Sequence, residues 1–153
     1  MALARKLRGG VSTVVLHVRV ALLLALLPVL LWRRPVQQVI QLLTPRALPA
    51  PQTWDDVLRV HQAVQHLYYR RGLNAYGPCL RRSLTLYYFL TRLGYPVQVA
   101  MGATTRRGQL SAHAWLTLDG TPVLERDSVS PYKVMAVWGG MTTARDRHQG
   151  AAV

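Results

Sequence analysis

The chain has 153 residues, and its 19 Lys and Arg against 6 Asp and Glu give it a formal net charge of +13. Half of its residues are hydrophobic, which excludes a wholly disordered chain because that much apolar surface can offset the entropy of ordering. A single cysteine, Cys79, excludes a disulfide framework and any multi-cysteine zinc or iron–sulfur site, and it suits a reducing compartment. The excess of cations indicates an acidic partner, and composition alone does not choose between nucleic acid, an anionic membrane and an acidic polypeptide.

Residues 1–47 form a hydrophobic segment flanked by arginines, and we expect it to be helical. Its uninterrupted apolar stretch, Val20 to Trp32, has 13 residues, fewer than the roughly 20 that cross a bilayer core. Arg19 would add about 2.5–3.5 kcal/mol to the free energy of insertion. No small-residue cleavage site of the kind that ends a signal peptide follows Trp32. The sequence therefore favours a core or interfacial helix with a snorkelling Arg19 over a membrane span, and it leaves peripheral membrane contact through residues 1–34 open.

Two amphipathic helices are predicted after a proline-rich linker over residues 45–52. The first covers residues 54–71, with Thr53 as its N-cap and two aspartates in its first turn, where the helix dipole favours anions. The second follows the break at Gly77-Pro78 and ends before Gly94, a typical C-terminal stop.

Beyond Pro96 the hydrophobic period changes from helical spacing to alternation, which predicts strands. The predicted strands cover residues 97–101, 112–118, 122–125 and 132–138, with a polar turn over 105–109 and a hairpin turn at Asp119-Gly120. Helices followed by antiparallel strands predict an α+β fold. We therefore expect a core domain over residues 53–138 and a flexible tail over residues 139–153.

Cys79 lies at the predicted start of the second helix, where free N–H groups and a partial positive charge lower the pKa of a thiol. Arg81 and Arg82, in the first turn, add positive potential. A cysteine alone is more often a small buried hydrophobe, but His113 lies on a predicted strand downstream, and a Cys–His pair is an activated nucleophile. The backbone N–H of Cys79 is also suited to stabilise an oxyanion.

The acid that would orient His113 depends on the hairpin register. A three-residue loop ending at Gly120 places Glu125 directly opposite His113. A two-residue turn at Asp119-Gly120 instead places Arg126 there and predicts that Glu125 points to the other side of the sheet. Asp127 is the alternative acid, in a register that absorbs one more residue into the loop.

Three groups of residues form a recognisable set: Cys79-Leu80-Arg81-Arg82-Ser83-Leu84, then Leu93-Gly94, then His113-Ala114-Trp115 with Asp119-Gly120 and Pro122-Val123. Together they resemble the transglutaminase-like core of lasso-peptide biosynthesis B proteins, the cysteine peptidases that remove the leader from a ribosomally made precursor. The resemblance covers residues from about 54 to 138. The hydrophobic, Arg-rich beginning and the length are similar to the stand-alone peptidase form, which acts with a separate leader-recognition protein.

The resemblance implies a transglutaminase-like or papain-like core in which helices pack on a small antiparallel sheet, with Cys79 as nucleophile and His113 as general base. The position 12 residues beyond His113 is commonly Asp in that family; here it is Glu125, so Asp127 stays a competitor for the third place. The implied partners are the precursor peptide, the leader-recognition protein and the macrolactam synthetase that acts next. No cofactor or metal is implied, and we expect a cytoplasmic location, with membrane association open.

Two other functions are compatible with the sequence. Acyl transfer to an amine, as in transglutaminases, shares the acyl-enzyme step with peptide hydrolysis. A basic non-enzymatic module that binds a membrane or nucleic acid is less favoured, because the arginines are spread in pairs along the chain and no single helix resembles a DNA-reading helix. We therefore expect no nucleic-acid partner.

Overall fold

The computed structural model describes residues 2–70, 78–106, 108–125 and 128–140. Within these ranges four helices precede four strands, which confirms the predicted α+β order. The helices are α1 (Ala2–Arg33), α2 (Val36–Leu43), α3 (Trp54–Arg70) and α4 (Pro78–Arg92). The strands are β1 (Gln98–Arg106), β2 (Gln109–Leu118), β3 (Thr121–Val123) and β4 (Lys133–Gly139).

Helix α1 has one packed face and one exposed face. Val20, Leu24 and Leu27 are fully buried, because this face packs against α3 and α4 in the hydrophobic core. Pro28 has no N–H and so leaves the carbonyl of Leu24 without its usual donor four residues later. The guanidinium of Arg81 on α4 donates to that carbonyl at 2.9 Å. The sequence predicted a core helix, and only one side of α1 is part of the core.

Helices α3 and α4 lie close to the predicted positions. Thr53 precedes α3, its carbonyl accepts the N–H of Asp56 at 3.0 Å, and its hydroxyl donates to the Asp56 carboxylate at 2.7 Å. Helix α4 starts at Pro78, a residue suited to the first helical position because its missing N–H would have no partner there. Cys79 is consequently the second residue of α4.

The four strands form one antiparallel sheet in the order β3-β2-β1-β4. β1 ends at Arg106 and β2 starts at Gln109. The turn between them is therefore shorter than the predicted turn over residues 105–109. Helix α4 packs on the sheet through β2, where the Ser83 hydroxyl donates to the Ala114 carbonyl at 3.0 Å. This contact brings the start of α4 beside the middle of β2.

Candidate active site

Cys79 is partly buried at the start of α4 and faces β2. Its sulfur forms a hydrogen bond with the side chain of His113 and accepts backbone hydrogen bonds from Ala114 and Leu80. In the first turn of a helix the N–H groups have no intrahelical acceptor, so the N–H of Leu80 is free to serve the thiolate. Sequence alone predicted the pairing of Cys79 with His113, and the structure brings the two together.

The other side of the His113 ring meets a carboxylate. Nε2 of His113 lies 3.3 Å from Oε2 of Glu125. With Nε2 engaged in this way, Nδ1 is the ring nitrogen that remains for the sulfur of Cys79. A carboxylate behind an imidazole fixes its tautomer and stabilises the imidazolium ion.

The conformation of the hairpin between β2 and β3 differs from each of the predicted registers. Leu118 pairs with Thr121, so the turn has two residues, and both Asp119 and Gly120 have positive φ. For that turn the prediction that Glu125 points away from His113 is wrong. β3 ends at Val123, and Leu124 has φ of 58°, which breaks the alternation of side chains and turns Glu125 back toward His113.

Arg82 holds this turn in place, a role that sequence reasoning missed. It donates to the Leu124 carbonyl at 2.7 Å and to both oxygens of Glu125, at 2.9 Å and 3.3 Å. Its side chain is 7% exposed and that of Glu125 is 9% exposed, so the ion pair is buried. Arg82 was expected to add positive potential at Cys79, but its guanidinium pairs with the Glu125 carboxylate instead. The sequence feature that could have indicated this role is the position of Arg82, three residues after Cys79 in the motif.

Protonation of the pair follows from these contacts. Burial alone would raise the pKa of the Cys79 thiol, but the hydrogen bond with His113, the amides of Ala114 and Leu80 and the charge of the imidazolium lower it below its ordinary value. Hydrogen bonds with Cys79 and then Glu125 outweigh desolvation and raise the pKa of His113 to about 9. The downward shift of the thiol pKa and the upward shift of the imidazole pKa both favour the thiolate–imidazolium form of the pair.

Aromatic rings enclose the imidazole on the sheet. Trp115, two residues along β2, stacks near His113 with ring centroids 5.9 Å apart, and Tyr132 lies at 5.2 Å. Gly102 on β1 pairs with His113, and a Cβ there would lie 2.8 Å from the carbonyl oxygen of Lys133, 2.8 Å from the indole of Trp115 and 3.1 Å from Tyr132. The glycine is thus required for the close approach of both the Lys133 backbone and the Trp115 ring beside the imidazole.

A buried hydroxyl on α3 also belongs to this region. Tyr68 is 3% exposed, and within the described ranges its hydroxyl has no hydrogen-bond partner. Burial, and next the nearby thiolate of Cys79, raise the pKa of Tyr68 to about 12. The neutral phenol of Tyr68 can therefore donate a hydrogen bond to a ligand that binds near Cys79.

The structure thus brings Cys79, His113 and Glu125 together. The alternative acid, Asp127, lies outside the described residues. Over the part of the chain that the structure covers, no cluster of three or more His, Cys, Asp or Glu could hold a metal ion. The arrangement is equipped for nucleophilic attack on a carbonyl and for proton transfer.

Comparison with known proteins identifies the family. The family model described as the transglutaminase-like superfamily matches residues 20–137. No curated protein and no solved structure is significantly similar to the chain. The match starts within α1, covers α2 to α4 and runs into β4, and it confirms the predicted fold class. The chain belongs to the transglutaminase-like superfamily.

Proposed function

We propose that this protein is a cysteine peptidase that removes the leader peptide from a lasso-peptide precursor, acting with a separate leader-recognition protein. The observation that carries the chemistry is the chain of contacts from Cys79 through His113 to Glu125. The choice of substrate rests on the resemblance of the motifs around Cys79 and His113 to lasso-peptide B proteins.

The acylation half-reaction follows from the protonation of the pair. The Cys79 thiolate attacks the carbonyl carbon of the bond between leader and core, a C–S bond forms and the carbonyl oxygen becomes an oxyanion. Since the N–H of Leu80 bonds to the sulfur, the N–H of Cys79 is the first-turn donor left for that oxyanion. The C–N bond then breaks, and the His113 imidazolium gives its proton to the leaving amine.

The second half-reaction returns the enzyme to its starting state. His113, now neutral, takes a proton from water while the water oxygen attacks the acyl carbon. The C–S bond breaks, the leader leaves as a carboxylic acid that gives its proton to solvent, and the thiolate–imidazolium pair re-forms. Glu125 stabilises the imidazolium at the start and at the end of this cycle.

The partners follow from the same proposal. The precursor is the substrate, the recognition protein presents the leader, and the macrolactam synthetase consumes the released core. The net charge of +13 suits an acidic leader or an acidic carrier surface.

The test is incubation of the precursor and the recognition protein with wild-type enzyme or with Cys79→Ala, followed by mass spectrometry. We expect free leader and free core with wild type only. Leu110→Gln is a matched control, because this residue is 80% exposed and lies on the face of β2 opposite to that of His113, and the variant should cleave like wild type. Unchanged cleavage by Cys79→Ala would end the proposal.

Membership of the transglutaminase-like superfamily is also compatible with a second reaction, acyl transfer to an amine. An acyl-enzyme at Cys79 can pass its acyl group to an amine instead of water. Addition of a primary amine to the same assay separates the two reactions: hydrolysis gives a leader carboxylate, and transfer gives an amide heavier by the amine minus water.

A further inference from the structure

The exposed face of α1 is an apolar stripe. Five aliphatic side chains recur along it at spacings of three and four residues and are each at least half exposed: Val15, Val18, Leu22, Leu26 and Val29. Leu22, in the middle, is 65% exposed, and Trp32, near the end of the helix, is 82% exposed. A continuous apolar patch of this kind on a soluble domain marks a surface that binds something.

The other face of α1 fixes how the stripe can be used. Helix α1 contains a stretch, Thr13–Arg33, that is long and apolar enough to cross a membrane. Its opposite face is packed on α3 and α4, and the carbonyl of Leu24 accepts a hydrogen bond from Arg81. While the helix stays docked, lipid can reach only the stripe. The geometry therefore fits a helix that lies in the plane of a bilayer surface.

Cations lie beside the stripe. A cleft between α1, α3 and α4 is lined by Arg19, by Arg59 in an ion pair with Asp56, and by Arg92, which donates to the carbonyls of Leu43 and Tyr88. These residues give the cleft a net positive charge, and Val15 belongs to both the cleft and the stripe. Arg19 stays at the surface, with its guanidinium over the ring of Phe89 at 5.7 Å. The first 54 residues of the sequence contain seven Lys and Arg and no Asp or Glu.

We propose that the apolar stripe of α1 and its cationic cleft dock this protein on an anionic membrane surface. The stripe enters the boundary of the acyl chains, Trp32 lies at the level of the headgroups, and the arginines bind lipid phosphates. A membrane is favoured over a protein partner because the stripe is a convex row of aliphatic side chains without hydrogen-bonding groups, with cations along its side and at its end. Protein interfaces of comparable size carry polar groups that fix orientation.

Binding to vesicles is the first test. The full-length protein should sediment with vesicles that contain phosphatidylglycerol and bind pure phosphatidylcholine vesicles at least about tenfold more weakly. Leu22→Gln should weaken binding to the anionic vesicles by about tenfold, and Arg19→Gln by about fivefold. Leu110→Gln and Arg46→Gln are the matched controls, since they change an exposed leucine and an exposed arginine outside the stripe and the cleft.

A depth measurement tests the orientation independently of those variants. In a Cys79→Ala background, a spin label is attached to Val15→Cys, Leu22→Cys or Val29→Cys, positions seven residues apart on the same face. In-plane docking predicts the same shallow depth for all three labels. A label at 22 that lies deepest, with those at 15 and 29 near the two surfaces, would show a span and overturn the proposal.

Other outcomes also decide the question. Equal binding to anionic and neutral vesicles, or equal binding by Leu22→Gln and Leu110→Gln, would contradict membrane docking by this surface. Labels that are already shielded from solvent without lipid, in a protein that migrates as a dimer, would assign the stripe to a second copy of this chain instead. Peptidase activity in solution does not enter these readouts, so they stand apart from the proposed function.

Discussion

Glu125→Gln removes the negative charge behind His113 while keeping the shape of the side chain. In the native site Oε2 meets His113 and one nitrogen of Arg82, and Oε1 meets the other nitrogen. A glutamine has one acceptor oxygen and one NH₂ group. If its oxygen stays with His113, its NH₂ faces the guanidinium, so one donor is set against another.

Two magnitudes follow. A hydrogen bond to a charged group contributes about 1.5–3 kcal/mol, and because an acceptor remains we expect the lower end, which lowers the pKa of His113 by about 1 from its value of about 9. The thiolate loses stabilisation to match, so its population at neutral pH falls by up to about tenfold. Arg82 is left buried without its counter-charge, which costs about 3–5 kcal/mol of folding free energy.

The assay uses the single cysteine of the chain. Iodoacetamide can alkylate only Cys79, so the pH dependence of the alkylation rate reports its thiolate without any substrate. We expect wild type to react below the ordinary pKa of a thiol and Glu125→Gln to react about five- to tenfold more slowly at pH 7. Asp56→Asn is the matched control, because it removes a carboxylate from an exposed pair with Arg59 and should change neither the rate nor, beyond about 1 kcal/mol, the stability.

The stability of the fold should fall as His113 loses its proton. Folding raises the pKa of His113 from 6.5 to about 9, so its contribution to stability is complete below pH 6.5 and is lost as the pH rises to about 9. In Glu125→Gln that loss should be complete at a lower pH. An alkylation profile identical to that of wild type, in a variant that remains folded, would refute the coupling of Glu125 to the thiolate through His113.

Three further predictions concern the surroundings of this site. Arg82→Met should destabilise the fold by about 3–5 kcal/mol in urea unfolding, whereas Arg82→Met with Glu125→Gln should recover most of that loss and stay slow in alkylation; a double variant as unstable as the single one would contradict this. Tyr68→Phe should keep or raise the stability, because it removes a buried hydroxyl without a partner among the described residues, and should lower kcat for leader cleavage; unchanged kcat would exclude a role for the hydroxyl. Gly102→Ala should displace Trp115 and lower both Tm and the alkylation rate, and a wild-type near-UV spectrum would contradict that displacement.

The sequence was sufficient to predict the elements and the proximity of Cys79 to His113. Hydrophobic period, proline breaks and capping residues located α3 and α4 within about two residues, and a change of period located the sheet. The pairing of Cys79 with His113 was predictable because a cysteine at a helix start and a histidine on the next strand pair can meet once the helix packs on the sheet.

The position of Glu125 could not be derived from register. Strand alternation predicts the direction of a side chain only while the strand continues, and here it ends at Val123. The left-handed conformation of Leu124 is unusual for a leucine and costs about 1–2 kcal/mol. It persists because Arg82 binds the Leu124 carbonyl and the Glu125 carboxylate together. Such a tertiary contact, between residues 42 and 43 positions apart, leaves no periodic trace in the sequence.

Two adjacent arginines of α4 reach in different directions, Arg82 to Glu125 and Arg81 to the carbonyl of Leu24 in α1. Helix α1 therefore helps to support the site formed by Cys79, His113 and Glu125, and two of its leucines should behave differently. Leu24→Ala, at a fully buried position, should cost about 2–5 kcal/mol and slow the alkylation of Cys79. Leu22→Ala, two residues away on the exposed stripe, should change stability by less than about 0.5 kcal/mol and leave alkylation unchanged. If both variants matched wild type in urea unfolding and in alkylation, α1 would be an independent appendage, because only a helix integrated into the core makes its two faces unequal.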